Sequence, residues 1–288
     1  MELQDKKYWI WLSLIRGIGN KKKQMLLERY ETPERIYNLN SKEVTNIKEL
    51  AKEAINNILD KNIRNKIENH IEYMQKNNIE LITIKDKEYP AKLKNIYDPP
   101  IVLYIKGDIN ILDNRSIAII GCRDASEYGI NSAKYFSYNL AKKGVNIVSG
   151  LAKGIDSYAH IGAINAKGNT IAIIGNGLDS VYPKENIEIA RKILETGGSI
   201  ITEYPLGTKP EKMNFPARNR IISGISNSVI VVEAKAKSGT LITVDFALEQ
   251  GRDVYVVPGN INSINSIGTN ELLKQGAKPV TNYFDIDL

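Results

Sequence analysis

Cysteine is almost absent from the chain. Among 288 residues there is one, Cys122, which cannot close an internal disulfide, and no pair or quartet of cysteines exists to hold zinc. A secreted disulfide scaffold and a zinc module are both excluded. Histidine is nearly as scarce, with His70 and His160 alone, so a histidine base has few candidates. No run approaches the ~20 apolar residues that span a bilayer. Met1 to Lys7 is polar and the apolar stretch after it breaks at Arg16, so there is no signal-peptide core. These absences lead to the expectation of a soluble, cytoplasmic protein with no membrane partner. Missing too are the Gly-x-Ser-x-Gly elbow, the Gly-x-x-x-x-Gly-Lys-Ser/Thr phosphate loop and the His-Glu-x-x-His zinc motif.

What is present is globular in composition, 42% hydrophobic and 25% charged, which sets aside disorder, collagen-like repeats and coiled coils. The length exceeds the usual ~100–200 residues of a single domain. A large domain with a smaller one is the natural reading. The formal charge is +6, from 39 basic and 33 acidic side chains, which by itself is modest evidence for a polyanionic partner.

The pattern divides the chain into residues 1–78, 79–115 and 116–288. In the first part Tyr8, Trp9, Trp11, Leu12 and Ile15 share a broad apolar face, and Ile63, Ile67, Ile71 and Met74 step along one side of a longer helix. A small helical domain is expected. Its Gly17-Ile18-Gly19 turn, followed by Asn20 and Lys21 to Lys23, can be read two ways. It is either a phosphate-facing turn of the helix-hairpin-helix kind or a packed turn with a solvated lysine cluster. Residues 79–115 read as a connector, with strands at Ile79 to Ile84 and Ile101 to Ile105, that adds strands to the next sheet. Beyond Ser116, short Ile- and Val-rich runs at 117–120, 145–148, 171–174, 200–201, 229–232 and 254–257 are mostly separated by helix-like segments at 126–143, 155–167, 185–196 and 240–251. Continuous apolar strands between helices mark a parallel sheet buried on both faces. The fold class expected is α/β, a Rossmann-like doubly wound sheet behind a small N-terminal helical domain.

In such sheets the ligand crevice lies beyond the carboxyl ends of the strands. The residues there are Gly121-Cys122-Arg123, Ser149-Gly150-Leu151-Ala152-Lys153-Gly154, Gly175-Asn176-Gly177, Phe215-Pro216-Ala217-Arg218-Asn219-Arg220 and Ser238-Gly239-Thr240. Glycines let the backbone approach a ligand, helix-start N–H groups favour anions, and Arg or Lys completes the neutralisation of phosphate. Arg123, Lys153, Lys212, Arg218 and Arg220 all project to this edge. From Lys209 to Lys237 there are six basic residues against two acidic. Residues 116–288 total only +2, from 18 basic and 16 acidic residues, while 1–115 carries +4, from 21 and 17. The charge of the sheet domain is focused, whereas that of the helical domain is scattered. Gly121-Cys122-Arg123 departs from Gly-x-Gly-x-x-Gly, because Arg123 stands where glycine would admit a pyrophosphate, so a dinucleotide dehydrogenase is not expected. Cys122 reads as a small turn residue, Asp156 as a helix N-terminal residue and His160 as a packed side chain. No catalytic residue, metal ligand or cofactor site is assigned.

In this order the motifs resemble those of the DNA-processing protein A family (DprA, also called Smf), which acts in natural transformation. The likeness covers essentially the whole chain and rests on Ser149 to Asp156, Phe215 to Arg220 and Ser238 to Thr243, supported by Gly175 to Asp179 and Tyr182-Pro183. The resemblance implies an extended Rossmann domain that holds single-stranded DNA, forms a homodimer and helps load the RecA recombinase. It maps the family's Gly-Ser-Arg turn onto Gly121, Cys122 and Arg123, with the serine replaced. The Ser-Gly-x-Ala-x-Gly loop falls on Ser149, Gly150, Lys153 and Gly154, and the Phe-Pro-x-Arg-Asn segment on Phe215, Arg218 and Asn219, with Arg220 next to it. Lys212 is the best match to a basic family position, with Lys209 second. The region before residue 79 resembles the family's sterile-alpha-motif-like domain. Many members carry a C-terminal winged helix, which is not expected in this chain. The rival expectation is a Rossmann-type nucleotide-binding enzyme similar to the nucleoside monophosphate phosphoribohydrolases, suggested by Ser238-Gly-Thr240 and Glu249. Its glycine run is replaced by Lys235 to Ser238, and Thr243 stands where its carboxylate belongs.

Overall fold

The structure, a computed structural model, describes residues 3–287. Its strands are β1 (Ile79–Thr83), β2 (Val102–Gly107), β3 (Ser116–Gly121), β4 (Asn146–Ser149), β5 (Thr170–Ile173), β6 (Ser199–Thr202), β7 (Ser228–Glu233), β8 (Asp253–Val256) and β9 (Lys278–Pro279). They form one sheet in the order β1-β2-β6-β5-β4-β3-β7-β8-β9. From β6 to β9 every pairing is parallel. The antiparallel β1 and β2 extend the edge beyond β6, with Ile105 opposite Ile201.

The strands read as continuous apolar runs because both of their faces are covered. Ala118, Ile120, Val148, Ile173, Val229 and Val231 pack with Ile221, Ile222, Ile225, Val244 and Ala247 of the helices Asn214–Ile225 and Gly239–Glu249. Their neighbours Ile117, Ile119, Ile147, Ile230 and Val232 turn to the other face. There they meet Ala133, Phe136, Leu140, Ala159 and Ala163 of the helices Glu127–Lys142 and Ile155–Asn165. Fully burying one such aliphatic side chain contributes about 1.5–3 kcal/mol, so two dry layers hold the doubly wound arrangement. The chain passes from β3 to β4 on one side and returns to β7 on the other. That reversal makes the switch point at which a crevice opens between strand ends.

The helix Asn214–Ile225 was not expected from the apolar pattern. Its Pro216 lies in the first turn, where a missing N–H costs no helical hydrogen bond, and Ile221, Ile222 and Ile225 hold the helix to the sheet. The N-terminal helices, among them Lys7–Leu14, Asn20–Tyr30 and Lys61–Lys76, share a core in which Trp11, Leu26, Ile71 and Met74 meet Leu81, Val102 and Tyr104 of β1 and β2. Ser13 Oγ lies 2.6 Å from the Tyr104 hydroxyl, and Asn20 Nδ2 donates to Glu203 Oε2 at 2.7 Å. The helical part is therefore seated on the sheet's extended edge. No helix among the described residues is long and apolar enough to cross a membrane.

Candidate functional site

A crevice of about 770 Å³ opens at the switch point, between the ends of β3 and β7. Of the expected residues, Gly121, Cys122, Arg123, Lys212, Phe215, Arg218, Asn219, Ser238, Gly239 and Thr240 line it. The turn after β3 is fixed by the loop after β4. Gly154 has φ +76°, and a Cβ there would strike the carbonyl oxygens of Cys122 and Arg123. Only glycine suits that position. Arg123 emerges from the turn exposed, with its guanidinium 5.8 Å from the centre of the Phe215 ring. It makes no ion pair among the described residues. Cys122 is buried, and burial pushes its thiol pKa up from 9.0, so it serves as a turn residue and not as a thiolate.

The floor is a buried polar group. Arg218 is 4% exposed, and its Nη1 donates to the carbonyls of Gly150, at 2.7 Å, and Ile173. Its Nε has no partner among the described residues. Burial lowers the guanidinium pKa from 12.5 to about 10. A Cβ on Gly150 would collide with this guanidinium, so the loop's second glycine makes room for the arginine. Asp156 accepts from the N–H groups of Gly150 (3.1 Å) and Ala152 (3.4 Å). Burial raises its pKa, with Arg218 pulling it back. It orders the loop, as its reading as a helix N-terminal residue anticipated. His160 is fully buried, with Nδ1 2.7 Å from Thr170 Oγ1; burial drops its pKa to about 3, and it does not line the crevice.

The walls combine aromatic rings and a helix start. Phe215 and Tyr182 lie 5.5 Å apart with planes tilted by 36°, and Tyr182 is 44% exposed. Opposite them begins the helix Gly239–Glu249, where Ser238 Oγ accepts from Thr240 N–H at 3.2 Å and nothing crowds Gly239. Asn219 Nδ2 donates to the Gly239 carbonyl at 3.4 Å, joining the two walls. Lys212 stands exposed on the rim.

The remaining expected residues lie elsewhere. Ser149 is wholly buried and donates to the Ile119 carbonyl at 2.7 Å. Gly150 and Gly154 act from behind the lining. Lys153 points outward to Glu185, at 2.5 Å, and Lys209 is exposed outside the lining. Arg220 stands apart from the crevice cations. Two positions beyond Arg218 on one helix, it points to a different side and meets Glu203 (2.5 Å) and Asp98 (3.2 Å). These carboxylates hold its pKa up against burial. There it lines a second cleft of about 930 Å³ beside the Gly17–Gly19 turn. At that turn Ile18 is buried while Gly17 and Gly19 are exposed; in the helix that follows, Lys21 and Lys22 are exposed, whereas Lys23 is 8% exposed and donates to the Ser13 carbonyl at 3.1 Å, and burial lowers its pKa to about 8. Arg16, Lys23, Lys66 and Arg220 are matched in the second cleft by Asp60, Asp98, Glu203 and Glu211.

In the first crevice the balance is different. Arg123, Lys212, Arg218 and Lys235 face only Asp124 and Asp156, so the charge of this lining favours an anion more than that of the second cleft does. Tyr182, Asp124 and Lys235 were not among the expected site residues; Tyr182-Pro183 had figured only as supporting sequence. No group of three or more His, Cys, Asp or Glu among the described residues could hold a metal ion. The chemistry on offer is neutralisation of phosphate beside a surface for stacking flat rings.

Comparison with known proteins adds likenesses in sequence and fold. The family model described as DNA recombination-mediator protein A matches residues 80–287. The chain is 46% identical over 209 residues to DNA processing protein DprA of Bacillus subtilis, covering 72% of this chain and 70% of that protein. It is 42% identical over 218 residues to protein Smf of Escherichia coli, covering 76% of this chain and 58% of its relative. Among solved structures, that of DNA processing protein A from Streptococcus pneumoniae superposes with a TM-score of 0.82 at 36% identity, over 97% of this chain and 96% of that one. A structure of DNA processing protein A from Helicobacter pylori, described for its single-stranded DNA binding mode, gives 0.65 at 34% identity, over 72% and 93%.

Proposed function

The chain belongs to the DNA recombination-mediator protein A family, and from that premise we propose that it is a single-stranded DNA-binding protein of recombination and natural transformation. The observation that carries this reading is a crevice with surplus cations, a helix start and a half-buried Phe215 beside an exposed Tyr182, all at the switch point. Phosphates lie against Arg123 and Lys212 and at the Gly239 N–H of the helix start, the Thr240 N–H being held by the Ser238 cap. Unstacked bases meet Phe215 and Tyr182, a contact that tolerates any sequence because every base has a flat face. Arg218 braces the floor from below. Duplex binds less well, since its bases are already stacked on one another and cannot lie against the rings.

The protein works in the cytoplasm as a binder and not as an enzyme, needing neither cofactor nor metal. The two carboxylates of the crevice are both engaged, Asp156 with backbone N–H groups and Asp124 with Lys235. Glu249 is exposed outside the lining, and Thr243 sits in the wall. The phosphoribohydrolase-like alternative therefore has Thr243 and no carboxylate at its catalytic place. The strand is protected there and passed to the RecA recombinase. A homodimer is part of the same reading, and the exposed run Ile261 (86%), Ile264 (64%) and Ile267 (47%) supplies apolar surface for a second copy to cover.

Arg123→Ala tests the assignment. Loss of one phosphate contact makes the dependence of log affinity on log salt shallower by about 0.7 for a single strand. Unchanged affinity and unchanged slope, read by anisotropy of a labelled oligo(dT), would remove the crevice from the reading.

A further inference from the structure

Two strand ends meet at the crevice through side chains outside the family motifs. Asp124 follows β3 and Lys235 follows β7, and the Lys235 ammonium is ion-paired with the Asp124 carboxylate. Both residues line the crevice. Their backbones are tied in place: Asn265 Nδ2 donates to the Asp124 carbonyl at 2.9 Å, and Ala234 N–H, next to Lys235, donates to the Asn265 carbonyl at 2.8 Å. The side chains themselves are open, with Asp124 67% and Lys235 37% exposed. Such a pair contributes little to stability and exchanges readily with other ions.

A carboxylate at this place works against the rest of the lining. It occupies one of four cations and repels an arriving phosphate. We propose that Asp124 is an internal stand-in for phosphate, holding Lys235 in the free protein until a backbone phosphate of the bound strand displaces it. Lys235 is then a further phosphate contact, and Asp124 limits affinity so that the strand can be released. The inference rests on the single-strand reading of the crevice.

The test is anisotropy of a labelled oligo(dT) between about 50 and 200 mM salt, on folded proteins checked by thermal unfolding. Asp124→Asn binds about three- to tenfold tighter with a salt slope steeper by up to about 0.7, because Lys235 no longer trades one partner for another. Lys235→Gln binds about three- to tenfold weaker, and Lys235→Arg, which keeps the cation, stays near wild type. In the double variant the asparagine gives a much smaller gain, since no ammonium remains to be freed. Glu188→Gln, a charge change on the surface helix Ile187–Glu195, leaves binding as it was. An Asp124→Asn variant with unchanged or weaker binding overturns the latch. So does an equal gain with and without Lys235, which is mere removal of a negative charge. Failure of the wild type to bind oligo(dT) overturns the single-strand reading itself, whereas wild-type binding without an Asp124→Asn effect overturns the latch alone.

Discussion

Replacing Arg218 by methionine separates a brace from a DNA contact. The guanidinium is buried and donates to the Gly150 and Ile173 carbonyls, so methionine leaves both without a charged donor. Hydrogen bonds to a charged group contribute roughly 1.5–3 kcal/mol each. Asp156, already raised by burial, also loses the longer-range attraction of Arg218, with which it makes no direct ion pair. Relief of the guanidinium's own desolvation, which had lowered its pKa to about 10, returns part of this. The expected balance is a loss of about 2–4 kcal/mol, read as a lower urea midpoint by circular dichroism at neutral pH with unchanged m-value. Lysine at 218 keeps the charge but not the planar fork and falls between. A methionine variant within about 0.5 kcal/mol of wild type that nevertheless binds no DNA would refute the reasoning and make Arg218 a direct phosphate ligand.

Other consequences follow from the same geometry. Gly154→Ala sets a methyl group against the Cys122 and Arg123 carbonyls at positive φ; a loss exceeding about 1 kcal/mol is expected in urea unfolding, together with weaker DNA binding as the turn at 121–123 shifts. Phe215→Ala and Tyr182→Ala each remove about 1–3 kcal/mol of stacking, a five- to hundredfold loss of oligo(dT) affinity, while Tyr182→Phe retains it. Acid sensitivity has a source in His160, whose folded-state pKa of about 3 lies below its ordinary 6.5. The unfolded chain takes up a proton below about pH 6.5 that the native protein refuses, so stability is present above that pH and falls as pH drops toward 3, by up to about 1.4 kcal/mol per unit. Asp156, raised above 3.8, opposes this in part, because its ionisation works against the folded state as pH rises. The His160→Gln variant should show a flatter decline of the urea midpoint between about pH 6 and pH 4; an unchanged decline would assign the acid limb to other groups.

The sheet was legible because burial on both faces leaves a run of Ile and Val that no surface strand would carry. The runs at 117–120 and 229–232 fall within β3 and β7. β9 was not legible, since Lys278–Pro279 is two exposed residues whose pairing depends on where the chain passes and not on local pattern. At the site, residue type was readable but direction was not. Arg218 and Arg220 are two apart in Phe-Pro-Ala-Arg-Asn-Arg, and on a helix that spacing sends them to opposite sides. One faces the crevice floor and the other the ion pairs with Glu203 and Asp98. Glycines told where the backbone must pass closely, as at Gly154, without telling that what passes there is the chain's own turn. Lys235 was visible as one of the six basic residues between 209 and 237, but only the meeting of β3 with β7 brings it to Asp124.

The central claim is that the surplus cations and paired rings at the switch point hold a single strand. It is tested most directly by competing oligo(dT) against a duplex of equal length over a salt titration. Preference for the single strand with a log–log salt slope of about −2 to −3, corresponding to three or four neutralised phosphates, is the predicted result. Equal or tighter binding of the duplex, or a slope near zero, would contradict it.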